Sequence, residues 1–208
     1  KNVRIFDQRL LQNADEQVDD IVHEFILSVS DYSHKVHMLI HQNDIEALKQ
    51  LLDAEPTLVS LPCHMVDDTR RVPIHIACQQ GHVEVVRLLI QSGAKVDYSC
   101  LLKAAASCKI QVIRLIMDHM STEGITIDWT LRDSNNQNIL HHVLYNCTNL
   151  EAVMECVSFL VHHGCHECLV MSYGEYTPVS LAEMIHDTLY QYLSFVRDVY
   201  QIRSYSQR

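Results

Sequence analysis

One stretch of the chain, residues 70–97, limits the fold more than any other part. It reads RRVPIHIACQQGHVEVVRLLIQSGAKVD. Pro73 suits the first turn of a helix, where its missing N–H leaves no hydrogen bond unmade. Gly81 can adopt the left-handed backbone that ends a helix, and the apolar residues at 85, 86 and 88–90 then give a second helix a broad apolar face. The stretch therefore predicts two short helices joined by a tight turn.

A helix pair of this size cannot bury its own apolar surface, so further copies must stack on it. Related patterns occur in the sequence. A shift of 38 residues places His37 over His75 and Asn43 over Gly81, and asparagine tolerates the left-handed region better than most residues. A shift of 27 residues places residues 99–104 over the start of the stretch, with Cys108 at the glycine position. Further copies begin near residues 133 and 176.

The repeated unit resembles a known family. Val72-Pro73-Ile74-His75-Ile76-Ala77 is similar to the T-P-L-H-x-A signature of ankyrin repeats, and Gly81-His82 continues it. The resemblance implies an all-α solenoid of stacked helix-turn-helix units, a fold that usually holds other proteins. It also implies that His75 is a structural residue that bonds between neighbouring turns.

The repeat pattern divides the chain into three parts. An N-terminal arm and a capping helix over Asp15–Tyr32 are predicted within residues 1–33, with an upstream repeat as the alternative for that helix. The repeat array is predicted over 34–201, in units of 34–71, 72–98, 99–132, 133–171 and 172–201, and residues 202–208 are predicted to be a frayed tail. The junction before the third unit is about six residues shorter than the usual ~33-residue period allows, so that unit should lack its projecting turn.

Composition excludes several classes of protein. The formal charge of −10 disfavours a nucleic-acid partner, because phosphate binding needs a basic face. No apolar run reaches the ~18 residues of a membrane span. Several of the eight cysteines occupy positions where repeats need small buried residues, which favours reduced thiols and a cytoplasmic location, with the nucleus as the alternative. The chain starts at Lys1 rather than Met, and we expect it to be part of a longer protein.

The residues 162–168, HHGCHEC, are the one cluster with plausible metal spacing. A zinc-binding module is therefore one alternative. However, Gly164-Cys165 aligns with Gly93-Ala94, which assigns Cys165 to a buried small-residue position. The sequence contains no phosphate-binding loop, no H-E-x-x-H and no G-x-S-x-G. We therefore predict a non-enzymatic chain without metal or cofactor.

The resemblance also implies a binding surface, formed by the projecting turns and by the outward residues of each first helix. Tyr and Arg are the stronger candidates, since they are enriched at interface hot spots. The candidate partner-binding residues are Asp68, Thr69, Arg71, Gln79, Gln80, Ser107, Ser134, Asn135, Gln137, Tyr145, Asn146, Tyr173 and Tyr176, with Ala106 and Met184 as weaker candidates. The implied function is recruitment of a partner or substrate protein. The alternative is an intramolecular or self-association scaffold that regulates a linked domain.

Overall fold

The computed structural model describes residues 32–62, 72–146, 148–172 and 175–206. In chain order the α-helices are α1 (32–42), α2 (Ile45–Ala54), α3 (Pro73–Gln80), α4 (Val83–Gln91), α5 (Tyr98–Ala106), α6 (Ile110–Thr122), α7 (Ile139–Asn146), α8 (Leu150–His162), α9 (Pro178–Ile185) and α10 (Asp187–Ser206). Two 3-10 helices, Pro56–Ser60 and Cys165–Val170, lie between them. Except for residues 32 and 33, which begin α1, the predicted arm and capping helix lie outside the described residues.

The helices stack in two layers. In one layer α3 packs on α5, α5 on α7 and α7 on α9. In the other, α2 packs on α4, α4 on α6 and α6 on α8. The two layers enclose one continuous apolar core, in which Leu89, Leu101, Ile113, Leu140 and Leu160 have no solvent exposure. The chain is therefore an all-α solenoid of helix-turn-helix units.

Left-handed residues end the first helix of three successive units. Gly81 follows α3 with φ 76°, and its N–H bonds back to the carbonyls of Ala77 and Cys78. Asn43 and Cys108 occupy the equivalent places with φ 54° and 50°. The conformation expected at Gly81 is thus confirmed, and the same turn forms at two non-glycine residues, where it costs about 1–2 kcal/mol.

The connections between units differ in length. α4 ends at Gln91 and α5 begins at Tyr98, whereas α6 ends at Thr122 and α7 begins only at Ile139. The second-to-third junction is therefore short, as the sequence indicated. The expected tail boundary was wrong, because α10 continues through Ser206. Once its packed residues Leu189 and Leu193 hold the helix, each further residue adds a hydrogen bond at little cost.

The turn at Asn43 provides a test of the backbone argument. Asn43→Gly should raise the free energy of unfolding by about 0.5 kcal/mol, because relief of the left-handed strain exceeds the gain in unfolded-chain entropy. The matched change Gln50→Gly, at an exposed position inside α2, should lower it by about 1 kcal/mol. Urea denaturation of both variants measures the two values, and equal signs would contradict the argument.

Candidate functional site

The last turns of the odd-numbered helices, from α1 to α9, form one exposed row. In each unit these residues follow the signature histidine position by four and five residues, so the same part of each helix is presented in successive layers. We call this set the recognition row. Its members are His41, Gln42, Gln79, Gln80, Ala106, Ser107, Tyr145, Asn146, Met184 and Ile185. All are exposed except Ala106 and Ser107, which are half-buried.

The chemistry of the recognition row changes along the stack. Its first layers present imidazole and amide groups, its third layer small side chains, and its last two layers mostly apolar ones, with Asn146 as the polar exception. Tyr145 is 48% exposed, Ile185 45% and Met184 69%. Exposed apolar side chains grouped at one end of a surface are typical of an interaction site.

The fourth unit also contains a rigid turn, residues 133–137, which we call the braced turn. One carboxylate oxygen of Asp133 accepts hydrogen bonds from the backbone N–H groups of Asn135, at 2.9 Å, and Gln137, at 2.8 Å. The other oxygen lies 3.0 Å from Nε2 of His142. Ser134 and Asn135 are exposed on this turn and Gln137 is half-buried. The contacts of Asp133 therefore fix the backbone of the turn, while its tip stays exposed to solvent.

The same turn is tied to the next unit. The guanidinium of Arg132 donates to the side-chain oxygen of Asn136 at 3.1 Å and to the carbonyl of Ser172 at 2.8 Å. Tyr176, in the following turn, is 41% exposed. The fourth and fifth units thus present neighbouring turns that are linked by hydrogen bonds.

Two histidines of α7 are structural. The buried amide of Asn138 donates to the carbonyl of Cys168 at 2.9 Å, and its oxygen lies 2.7 Å from Nδ1 of His141. Burial lowers the pKa of both His141 and His142, and for His142 it does so against the opposing effect of Asp133. Both imidazoles are therefore held in the neutral form that the buried site favours.

The predicted site residues fall into four groups. Gln79, Gln80, Ser107, Tyr145 and Asn146 lie in the recognition row, as do the weaker candidates Ala106 and Met184. Ser134, Asn135 and Gln137 lie in the braced turn, and Tyr176 follows in the next turn. Asp68, Thr69, Arg71 and Tyr173 lie outside the described residues. Ile185 was not predicted from the sequence, although its position five residues after Ser180 indicates the same place in the helix.

The histidine–cysteine cluster at 162–168 does not converge on one point. Cys165 is fully buried, as its alignment with Ala94 indicated. Cys168 donates its thiol to the carbonyl of Trp129 at 2.8 Å. Nδ1 of His162 and Nδ1 of His163 each lie 2.7 Å from a carbonyl of α8. These side chains make separate structural contacts.

A different group converges between the second and third units. Among the described residues, His75, Asp97 and Cys100 are the three whose possible metal-ligand atoms all lie within 4.8 Å of one another. From the sequence, His75 was predicted to be purely structural. The sequence gives no sign of this group, because Asp97 and Cys100 are more than twenty positions away and meet His75 only through stacking.

The three side chains influence each other's ionisation. The hydrogen bond from Cys78, with further help from His75, lowers the pKa of Cys100 against the effect of burial. Burial disfavours a charged His75, but Asp97 and Cys100 together outweigh it and raise the pKa of His75 to about 9. Contact with His75 is the main reason that the pKa of Asp97 falls to about 2. These shifts favour the charged forms of all three side chains at the junction between the second and third units.

Comparison with known proteins identifies the family. The family model of ankyrin repeats, in three copies, matches residues 14–100 and 36–128, which together make up more than half of the chain. The chain belongs to the ankyrin-repeat family. Ankyrin repeats are in general protein–protein interaction modules, and domains built from them are typically non-catalytic.

Two curated relatives align with parts of the chain. The serine/threonine-protein kinase VIK of Arabidopsis thaliana is 35% identical over 85 residues, which is 38% of this chain and 18% of the kinase. The fowlpox virus ankyrin repeat protein FPV018 is 24% identical over 70 residues, which is 34% of this chain and 9% of that protein. The chain thus spans less than a fifth of the length of either relative. Among the described residues, no helix has the length and apolar character needed to cross a membrane.

The braced turn can be tested by removing its acceptor. Asp133→Ala should lower the free energy of unfolding by about 1–3 kcal/mol, since it leaves backbone N–H groups and His142 without their partner. Ser134→Ala, on the exposed tip of the same turn, should change it by less than about 0.5 kcal/mol. Urea denaturation measures both, and faster amide exchange at 135 and 137 should accompany only the first change.

The neutral state of His142 predicts a dependence on pH. Its folded-state pKa lies below the ordinary value of 6.5, so its contribution to stability is present above pH 6.5 and is lost as the pH falls. The free energy of unfolding of the wild type, minus that of His142→Gln, should therefore shrink between about pH 7.5 and pH 5.5. Urea titrations across this range measure the difference, and a constant difference would contradict the assignment.

Proposed function

We propose that this chain is a non-catalytic recognition module that recruits a partner protein through the recognition row and the adjoining turns. The observation that carries the proposal is the grouping of Tyr145, Met184 and Ile185, exposed at one end of an otherwise polar row. Aromatic residues and Met are enriched in the fully buried centres of protein interfaces. In solenoid proteins the extended concave face of the stack is the usual binding surface.

The row also limits the chemistry of the partner. It contains no Asp, Glu, Lys or Arg, and its side chains are amide-bearing in the second layer and largely apolar in the last two. The segment that binds should therefore place an apolar side chain against Tyr145 and Met184, and hydrogen-bonding groups against Gln79 and Gln80. Affinity that depends little on charge pairing should change little with salt concentration.

The setting of the module is also part of the proposal. The six described cysteines that are identified as free thiols are all buried, which supports reduced cysteines and a cytoplasmic site of action. One relative is named a kinase, and only 18% of it aligns with this chain. That relationship supports the alternative in which the array regulates a linked domain, or associates with itself, instead of recruiting a separate protein.

Site-directed photo-crosslinking distinguishes these functions. A benzophenone side chain at position 145 should capture a separate protein in a cell extract. The same group at Glu155, exposed on the outer helix α8, should not capture it. A product that contains only this chain would support self-association instead. Equal capture of one protein from both positions would contradict the proposed face.

The captured partner then allows an energetic test. Tyr145→Ala and Met184→Ala should each weaken its affinity about tenfold or more, the range expected for residues at the centre of an interface. Glu155→Ala should leave the affinity unchanged. Isothermal titration calorimetry measures the dissociation constants, and circular dichroism confirms that each variant remains helical.

A further inference from the structure

Three side chains from different segments meet where the second and third units join. His75 comes from the first turn of α3, Asp97 from the short connection after α4, and Cys100 from the first turn of α5. Nε2 of His75 lies 3.5 Å from Oδ1 of Asp97. The same carboxylate oxygen accepts a hydrogen bond from the backbone N–H of Cys100 at 3.1 Å, which fixes its orientation.

The imidazole of His75 is not satisfied by these contacts. Its Nε2 atom is shielded from solvent and meets no acceptor in hydrogen-bonding geometry among the described residues. Buried polar atoms of this kind are uncommon and ask for an explanation, such as a bound ion. The equivalent residue of the fourth unit, His141, instead has Nε2 3.4 Å from the carbonyl oxygen of Tyr176.

We propose that His75 Nε2, the Asp97 carboxylate and Cys100 Sγ bind one zinc ion, with water in the fourth position. This departs from the absence of metal predicted by the sequence analysis. Imidazole, thiolate and carboxylate are the three groups that zinc takes from proteins, and three such ligands leave one position open. Calcium and magnesium would require oxygen ligands only.

The spacing of the donors fits a tetrahedral ion. Zinc–ligand bonds of about 2.0–2.3 Å place tetrahedral ligand atoms roughly 3.3–3.8 Å apart. The 3.5 Å separation of His75 and Asp97 already lies in this range. The limit of 4.8 Å for the remaining pairs leaves at most about 1.5 Å to be closed, which small side-chain rotations can provide.

The site is open to solvent on one side, and its thiol ligand has a buried neighbour on the other. The side chain of Asp97 is 48% exposed and that of His75 is 19% exposed, so an ion and its water can enter from the Asp97 side. On the opposite side Cys100 is fully buried, and the neighbouring buried thiol of Cys78 lowers the pKa of Cys100. Such an outer partner orients a ligand and typically changes metal affinity about 10–100-fold. The ion would join α3 to α5 directly.

The test uses cobalt as a spectroscopic substitute for zinc. The reduced, metal-free full chain is titrated with Co²⁺, whose bond to a thiolate gives a charge-transfer absorption in the near ultraviolet. We expect one equivalent to bind with this absorption and zinc to displace it. Cys100→Ser should abolish the absorption. Cys165→Ala, which introduces the residue found at the equivalent position 94, should keep it.

A second variant guards against a folding defect in Cys100→Ser. Asp97→Asn keeps an oxygen for the helix cap while removing the charged ligand, so the chain should stay helical and bind Co²⁺ about tenfold or more weakly. Zinc should raise the thermal midpoint of the wild type by more than that of this variant. Absence of the thiolate absorption in the wild type would overturn the proposal. So would its loss in Cys165→Ala alone, or unchanged affinity in Asp97→Asn.

Discussion

Every feature of this chain depends on the fact that a short helix pair can bury its apolar face only against another pair. The odd-numbered helices α3, α5, α7 and α9 have eight or nine residues, fewer than the roughly 12–15 at which an isolated helix becomes stable in water. Their stability must therefore come from stacking. In α5, Leu101, Ala104 and Ala105 have no solvent exposure, because the helix packs on α3 and on α7.

Stacking also determines what can bind. Small side chains such as Ala104 and Ala77 let neighbouring helices approach closely, and this fixes the last turns of successive helices in one line. Side chains held on packed helices lose little further freedom when a partner docks. The Asp133 turn achieves the same result without a helix, because its carboxylate holds two backbone N–H groups and one histidine. The rigidity of the recognition row therefore follows directly from the packing of the helices in the core.

The sequence predicted those features that local backbone preferences determine. Pro73 begins α3 and Gly81 ends it, since both residues restrict or permit particular φ values wherever they stand. It predicted less well what depends on neighbours. The end of α10 was predicted too early, because residues 202–206 carry no local sign of the helix already held by Leu189 and Leu193. The exposed Ile185 was missed, since an apolar residue near a helix end is usually assigned to the core.

The junction between the second and third units shows how chain length alone redistributes polar groups. Between α6 and α7 the longer connection contains Asp133, whose half-buried carboxylate organises a turn with an exposed tip. Between α4 and α5 the connection has only residues 92–97. Asp97 must therefore serve as the cap of α5 while lying directly beside His75. The same residue type that organises a projecting turn in one unit caps a helix in another, where it lies beside a histidine and close to a thiol.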